Sequence, residues 1–199
     1  MDDLASFMSV VDRVESAGFA ICPGFLPQPE VFALQEHALG RLAAGDFRPA
    51  AVGSSTRRRV RPDLRGDEIL WLSSPDCGAE RRLLERLEVL RLAFNRELSL
   101  GLFEFECHYA AYPPGAVYAR HLDRFVTDAS RVLSCIVYLN SGWSAADGGA
   151  LRLHVGDGTV DVLPEGGTLV VFLSERFWHE VLPATRLRLS LTGWFRHRA

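Results

Sequence analysis

His121-Leu122-Asp123 sets an imidazole and a carboxylate two residues apart, just after the turn formers Pro113-Pro114-Gly115. Side chains at i and i+2 of an extended strand share a face, so His121 and Asp123 point the same way. That pair is two thirds of a metal-binding triad; the third ligand must come from elsewhere in the chain. His179, in Phe177-Trp178-His179-Glu180-Val181, is the candidate. Two imidazoles and one carboxylate on one face of an octahedral Fe(II) leave positions open for a cosubstrate and O2. H-x-D alone is a weak motif that recurs by chance.

The end of the chain adds a second chemical feature. Arg186, Arg188, Ser190, Thr192, Trp194 and Arg196 share one strand parity, and Leu187, Leu189, Leu191 and Phe195 share the other. The bland reading is an amphipathic strand with its polar face in water. The other is a barrel strand whose apolar face packs on helices while its polar face lines a wet cavity. A dicarboxylate chelating iron through one end needs a fixed cation at the other, and arginine suits that through bidentate pairing. Arg188 lies nine residues after His179 with Ser190 on the same face, and Arg186 is its rival.

The elements that must position these residues fall into two textures. The first half reads as helices at about residues 4–17, 29–44 and 79–98, with a short strand at 19–22. Leu4, Phe7, Met8, Val11 and Val14 mark the first helix; Val31, Leu34, Ala38 and Leu42 mark the second; Leu83, Leu84, Leu87, Leu90 and Phe94 mark the third. Residues 47–72 read as a long loop with an arginine cluster at 57–61, either a solvated segment or a flap over the site. From about residue 102, short runs rich in valine, leucine and aromatics alternate with glycine and proline turns, as in an antiparallel sandwich or barrel. The expected fold is α+β: one domain over 1–199, with helical support about 1–98 bracing a jelly-roll core of about eight strands over 102–197.

Composition narrows the function classes. The 199 residues are 48% hydrophobic and 24% charged, as in ordinary globular domains. The formal net charge is −3, so no global basic field draws the chain to nucleic acid or anionic lipid. All 22 basic residues are arginine, which excludes lysine Schiff-base chemistry. No apolar run approaches the roughly 18 residues of a membrane span. Cys22, Cys77, Cys107 and Cys135 form no C-x-x-C pair, and with no secretory pattern at Met1-Asp2-Asp3 the expectation is reduced thiols in the cytoplasm.

Taken jointly, these motifs resemble the Fe(II)/2-oxoglutarate-dependent dioxygenases, and within them the prolyl-4-hydroxylase and hypoxia-factor prolyl hydroxylase branch. The resemblance rests on His121-Leu122-Asp123, His179 fifty-eight residues later, and Arg188-Leu189-Ser190. It extends to Tyr112-Pro113-Pro114-Gly115, Tyr118-Ala119-Arg120-His121, Cys135-Ile136-Val137-Tyr138-Leu139-Asn140, Asp147-Gly148-Gly149 and Arg65-Gly66-Asp67 with Trp71, about residues 64–196 in all. The fold it implies is a double-stranded β-helix, that is, a jelly roll.

Carried over by position, the resemblance implies iron ligands His121, Asp123 and His179. Arg188 and Tyr138 hold the cosubstrate's C5 carboxylate, Tyr112 lies on the cavity wall, and Thr192 and Trp194 shape the pocket. Tyr118 has the wrong parity to join them unless a bulge intervenes. Asp67 and Arg131 fall where relatives pair opposite charges. The implied cofactors are Fe(II), 2-oxoglutarate and O2, with ascorbate as reductant. The implied reaction hydroxylates a substrate C–H, first of all a prolyl residue of a protein or peptide, releasing succinate and CO2. Hydroxylation of a free amino acid or other small molecule is an alternative, as is an iron or 2-oxoglutarate sensor without turnover. A zinc hydrolase with the same ligands leaves Arg188 and Tyr138 unexplained. Trp71, Trp143 and Trp178 are expected to be packing residues; His108, His154 and His197 are expected to be surface or core polar groups. Cys107 and Cys135 are expected to act as small core hydrophobes.

Overall fold

The computed structural model describes residues 2–53, 59–124 and 130–198. Its N-terminal half carries helices α1 (Asp2–Ala17), α2 (Gln28–Ala43) and α3 (Gly78–Leu98), interleaved with strands β1 (Phe19–Cys22), β2 (Arg48–Pro49) and β3 (Glu68–Trp71). Eight strands follow: β4 (Glu104–Tyr112), β5 (Tyr118–His121), β6 (Arg131–Tyr138), β7 (Leu151–Val155), β8 (Gly158–Val162), β9 (Leu169–Leu173), β10 (His179–Val181) and β11 (Arg188–Arg196).

These last eight pair as β9-β6-β11-β4 in one sheet and β5-β10-β7-β8 in the other, the strand order of a jelly roll. The larger sheet is extended by β1 beyond β9, and by β3 and β2 beyond β4. The stretch 47–72, expected to be loop, thus contributes two short strands, β3 and the edge strand β2. Alternating apolar residues in Glu68–Trp71 pair with Trp71 opposite His108 and Ile69 opposite Ala110. Four residues were too few for a strand to show in the sequence pattern. The arginines at 57 and 58 lie outside the described residues.

The helices form because their apolar positions recur at helical spacing and bury together. Leu83, Leu87, Leu90 and Phe94 of α3 are fully buried, beside Val31, Leu34 and Ala38 of α2 and Phe7, Val10, Val11 and Val14 of α1. They pack on Leu189, Leu191 and Phe195 of β11 and Cys107 and Tyr109 of β4 in one continuous cluster. Each such aliphatic or aromatic side chain contributes about 1.5–3 kcal/mol on burial. Cys107 and Cys135 are buried and unpaired, as small hydrophobes.

The other parity of the same strands faces the smaller sheet. There Ala110 and Tyr112 of β4, Ile136 and Tyr138 of β6 and Phe172 of β9 meet Leu151, Leu153 and Val181. The polar members of β11, Arg188 and Ser190, are on this inner side and buried. Helices therefore cover one face of the larger sheet and leave the other to line the barrel. Among the described residues, no helix is long and apolar enough to cross a membrane.

Candidate metal centre

Strand pairing brings His121 and His179 together. They are direct partners across the β5–β10 ladder, with ring centroids 4.1 Å apart. Asp123, just past the end of β5, reaches both: its two carboxylate oxygens lie 3.5 Å from His121 Nε2 and 3.5 Å from His179 Nε2. His121 Nδ1 donates to the Ala119 carbonyl at 2.8 Å and His179 Nδ1 to the Phe177 carbonyl at 3.1 Å. Backbone acceptors at Nδ1 fix the tautomer and leave each Nε2 lone pair facing Asp123, the arrangement of imidazoles prepared for a cation.

The electrostatics agree. Burial pushes the His179 imidazole down to about 4, so the ring is neutral near pH 7 and its lone pair is available. Burial by itself would raise the Asp123 carboxyl; His179, His121 and the Ser134 hydroxyl outweigh it and hold the group well below the usual range. Ser134 Oγ donates to Asp123 Oδ2 at 2.6 Å and lies 2.9 Å from Ser174 Oγ. Ser134 was missed in the sequence, although a serine on the Tyr138 face of an apolar strand was a usable sign.

Tyr118 is the second omission. Between His179 and Val181 of β10 the partner strand advances from His121 to Tyr118, one residue too many for a regular ladder. That bulge turns Tyr118 onto the His121 face, and its ring stacks on the imidazole at 3.6 Å and 17°. Arg65 lies over the outer side of Tyr118 at 4.6 Å and is paired twice with buried Asp67, at 2.8 and 3.0 Å. Arg131 binds Glu106 at 3.0 Å. The opposite-charge pairing expected at Asp67 and Arg131 is therefore made by each with a different partner.

Arg188 lies on the inner face of β11, directly opposite Tyr112 of β4. It is 2% exposed, and its Nε donates to the Gly149 carbonyl at 2.9 Å. Gly149 adopts φ +71°, and an added Cβ would come within 2.9 Å of Ala184, so the turn 147–149 needs glycine to present that carbonyl. The guanidinium carbon stands 5.0 Å from the Tyr112 ring and 5.1 Å from the Tyr138 ring. Among the described residues no carboxylate pairs with Arg188, and the buried Tyr138 hydroxyl, beside that guanidinium, has no acceptor for its proton. Burial moves the Tyr138 hydroxyl up to about 12 against the pull of Arg188, so it stays protonated, a donor. A buried cation beside an unpartnered donor is costly on its own and complements a small carboxylate. The rival Arg186 is half exposed, paired with Asp147 at 3.3 Å and laid over Trp143 at 4.3 Å.

Thr192 sits farther along the same face, 3.2 Å from Ser190 Oγ and opposite His108. No contact joins it to Arg188 or to the triad. His108 is fully buried, and neither ring nitrogen has a hydrogen-bond partner. Its ring packs between Trp71 at 4.8 Å and Trp194 at 5.5 Å. Trp143 is buried as expected; Trp71 and Trp178 are 41% and 44% exposed, Trp71 packing on His108 through one face and Trp178 lying under Arg120 at 5.3 Å. His154 pairs with Glu180 at 3.1 Å and His197 is exposed.

A jelly roll whose inner face gathers two histidines and an aspartate, with a buried arginine across the barrel, defines a non-haem iron oxygenase site. The sequence profile of the 2OG-Fe(II) oxygenase superfamily matches residues 107–196. Human prolyl hydroxylase EGLN3 is 32% identical over 170 residues, 81% of this chain and 69% of the relative. Human Egl nine homolog 1 is 34% identical over 143 residues, 67% of this chain and 33% of the relative. Among solved structures, a Pseudomonas putida prolyl-4-hydroxylase superimposes with a TM-score of 0.88 at 46% identity, covering 97% of this chain and all of that one. A Trichoplax adhaerens prolyl hydroxylase, solved with a hypoxia inducible factor peptide fragment, gives 0.89 at 28% identity over 98% of this chain and 90% of that one. The chain belongs to the prolyl hydroxylase group of the 2OG-Fe(II) oxygenase superfamily, whose chemistry uses Fe(II), 2-oxoglutarate and O2.

Proposed function

We propose that this chain hydroxylates prolyl residues of a polypeptide, with His121, Asp123 and His179 as the iron ligands and Arg188 and Tyr138 as the anchor for the far carboxylate of 2-oxoglutarate. The buried guanidinium of Arg188, without a carboxylate partner among the described residues and beside a Tyr138 hydroxyl with no acceptor for its proton, carries this reading. A metal site used for hydrolysis has no need of that cation. The prolyl and polypeptide parts rest on the similarity to EGLN3 and to the Pseudomonas and Trichoplax prolyl hydroxylases.

Iron and the keto acid, when bound, supply the oxidising equivalents that put one oxygen atom of O2 on the substrate and release succinate and CO2. The protein's share is placement. His121 and His179 offer Nε2, and Asp123 offers a carboxylate oxygen held by Ser134. Together these three side chains would hold the iron and leave room beside it for the keto acid and O2. Tyr118, stacked flat on His121, prevents that ring from turning. Arg188 would pair the distant carboxylate of the keto acid through its fork, and Tyr138 would donate a second bond to it. Tyr112 walls the same cavity beside Arg188. Trp71 and Trp178 give exposed aromatic surface for a peptide.

The reading includes one domain, supported by the helices sharing a continuous core with the larger sheet. It includes a cytoplasmic location, supported by four unpaired cysteines. Ascorbate as reductant rests on the resemblance alone. The test is succinate formation with proline-containing polypeptides, read together with the gain of one oxygen atom in peptide mass. His121→Ala and Asp123→Ala abolish both. Coupled turnover of a free amino acid but no polypeptide would transfer the activity to small molecules, and wild-type turnover in either variant would refute the triad.

A further inference from the structure

We infer that His37, Cys77 and Glu80 form a second metal site, behind the larger sheet, for a thiophilic divalent cation of the zinc class. The three residues come from α2, the residue preceding α3, and the first turn of α3. Their donor atoms all lie within 4.8 Å of one another. They meet over Tyr109, whose parity on β4 faces the helices, whereas His108, Ala110 and Tyr112 face the barrel. The cluster is therefore on the opposite side of the sheet from the His121 centre.

Glu80 is the centre of the argument. Its side chain is 1% exposed. Oε2 accepts the backbone N–H of Asp76 at 2.6 Å and of Cys77 at 3.3 Å, and Oε1 accepts the Tyr109 hydroxyl at 2.8 Å. These bonds close the N-terminus of α3 and orient the carboxylate. His37 Nε2 lies 3.2 Å from Oε1, yet that buried nitrogen makes no aligned hydrogen bond. That nitrogen is out of line for a hydrogen bond to Oε1, and a cation seated between the two and the Cys77 sulfur would bond all three donors.

The donor set selects the ion. Thiolate, imidazole and carboxylate suit zinc, whereas Fe(II) prefers the all-N/O set of the other site. Zinc bonds of about 2.0–2.3 Å at tetrahedral angles need donors about 3.3–3.8 Å apart, within a small side-chain adjustment of the observed cluster. The fourth position is left to water. The other thiols are poor competitors: burial raises Cys107 to about 12 and holds Cys135 well above the usual thiol range, and Cys22 Sγ sits 3.6 Å from Ser6 Oγ. An ion here would pin α2 to the start of α3.

The test uses the full chain, freed of metal, carrying His121→Ala so that the barrel site is disabled. Titration with Co2+ is expected to give a near-ultraviolet thiolate-to-cobalt charge-transfer band saturating at one ion per chain, erased by excess Zn2+. Cys77→Ser is expected to abolish the band while keeping the helix cap, because serine is a favoured N-cap residue; His37→Ala is expected to weaken it. Should Cys77→Ser not fold, alkylation of the wild type replaces it: saturating Zn2+ is expected to slow modification of Cys77 by about tenfold or more. No thiolate band, a band that survives Cys77→Ser, or unchanged alkylation of Cys77 overturns the site.

Discussion

Replacing Arg188 by methionine separates a cosubstrate anchor from a structural arginine. The side chain is 2% exposed, with one hydrogen bond to the Gly149 carbonyl and no acidic partner among the described residues. Truncating one partner of a buried charge pair costs about 2–5 kcal/mol of binding. At about 1.4 kcal/mol per tenfold, 2-oxoglutarate affinity falls about 30- to 4,000-fold. Folding behaves differently. Losing the Gly149 bond costs about 1.5–3 kcal/mol, but removing a buried unpaired cation relieves a desolvation penalty of several kcal/mol. The cosubstrate-free variant therefore melts close to, or above, the cosubstrate-free wild type. Thermal melting of the anaerobic Fe(II) protein shows both effects. At 100 times its Kd, the keto acid stabilises the wild type by about 2.7 kcal/mol, a rise of about 5–10 °C for a domain this size. With binding weakened at least 30-fold, the variant at the same concentration gains at most about 3 °C. A full rise in the variant refutes the anchor. A large loss of stability without the keto acid shows that Arg188 already has its partner within the fold.

Three more outcomes follow from the same geometry. Ser134→Ala removes the 2.6 Å bond to Asp123, and loss of such an outer contact lowers Fe(II) affinity about 10- to 100-fold in a competitive chelator titration; unchanged affinity means Asp123 is held by other groups. His108 is buried neutral, its imidazole moved by burial, Arg65 and Arg131 from 6.5 down to about 3. The unfolded chain therefore binds a proton that the folded one does not, and stability falls as pH drops below about 6.5, by about 2 kcal/mol at pH 5. His108→Leu should flatten denaturant-derived stability over that window, and an unaltered pH slope excludes His108 as its source. At Gly193 an added Cβ would stand 2.4 Å from the Glu106 carbonyl and 2.7 Å from Cys107 Cβ. Gly193→Ala is expected to cost about 1–3 kcal/mol through overpacking, and a melting temperature equal to the wild type contradicts the close β11–β4 approach.

Local pattern was enough to read the helices, since Leu83, Leu87, Leu90 and Phe94 announce α3 through spacing alone. The same holds for His121 with Asp123 and for Arg188 with Ser190, because i and i+2 neighbours share a face whatever lies around them; that the Arg188 face turns inward rather than to water is a result of the fold. The joining of His179 to that pair is different. Residue types made His179 a candidate, but its meeting with that pair depends on a cross-strand register between β5 and β10, which they do not encode locally. Only the folded chain separates Arg188, buried, from Arg186, half exposed and paired with Asp147, because burial and pairing distinguish two arginines of equal parity. It also decided the bulge that brings Tyr118 onto His121, the serine that holds Asp123, and the meeting of His37 with Cys77 and Glu80 from separate helices. Periodicity is a property of neighbours along the chain; register, bulges and inter-helix contacts are set by packing the whole.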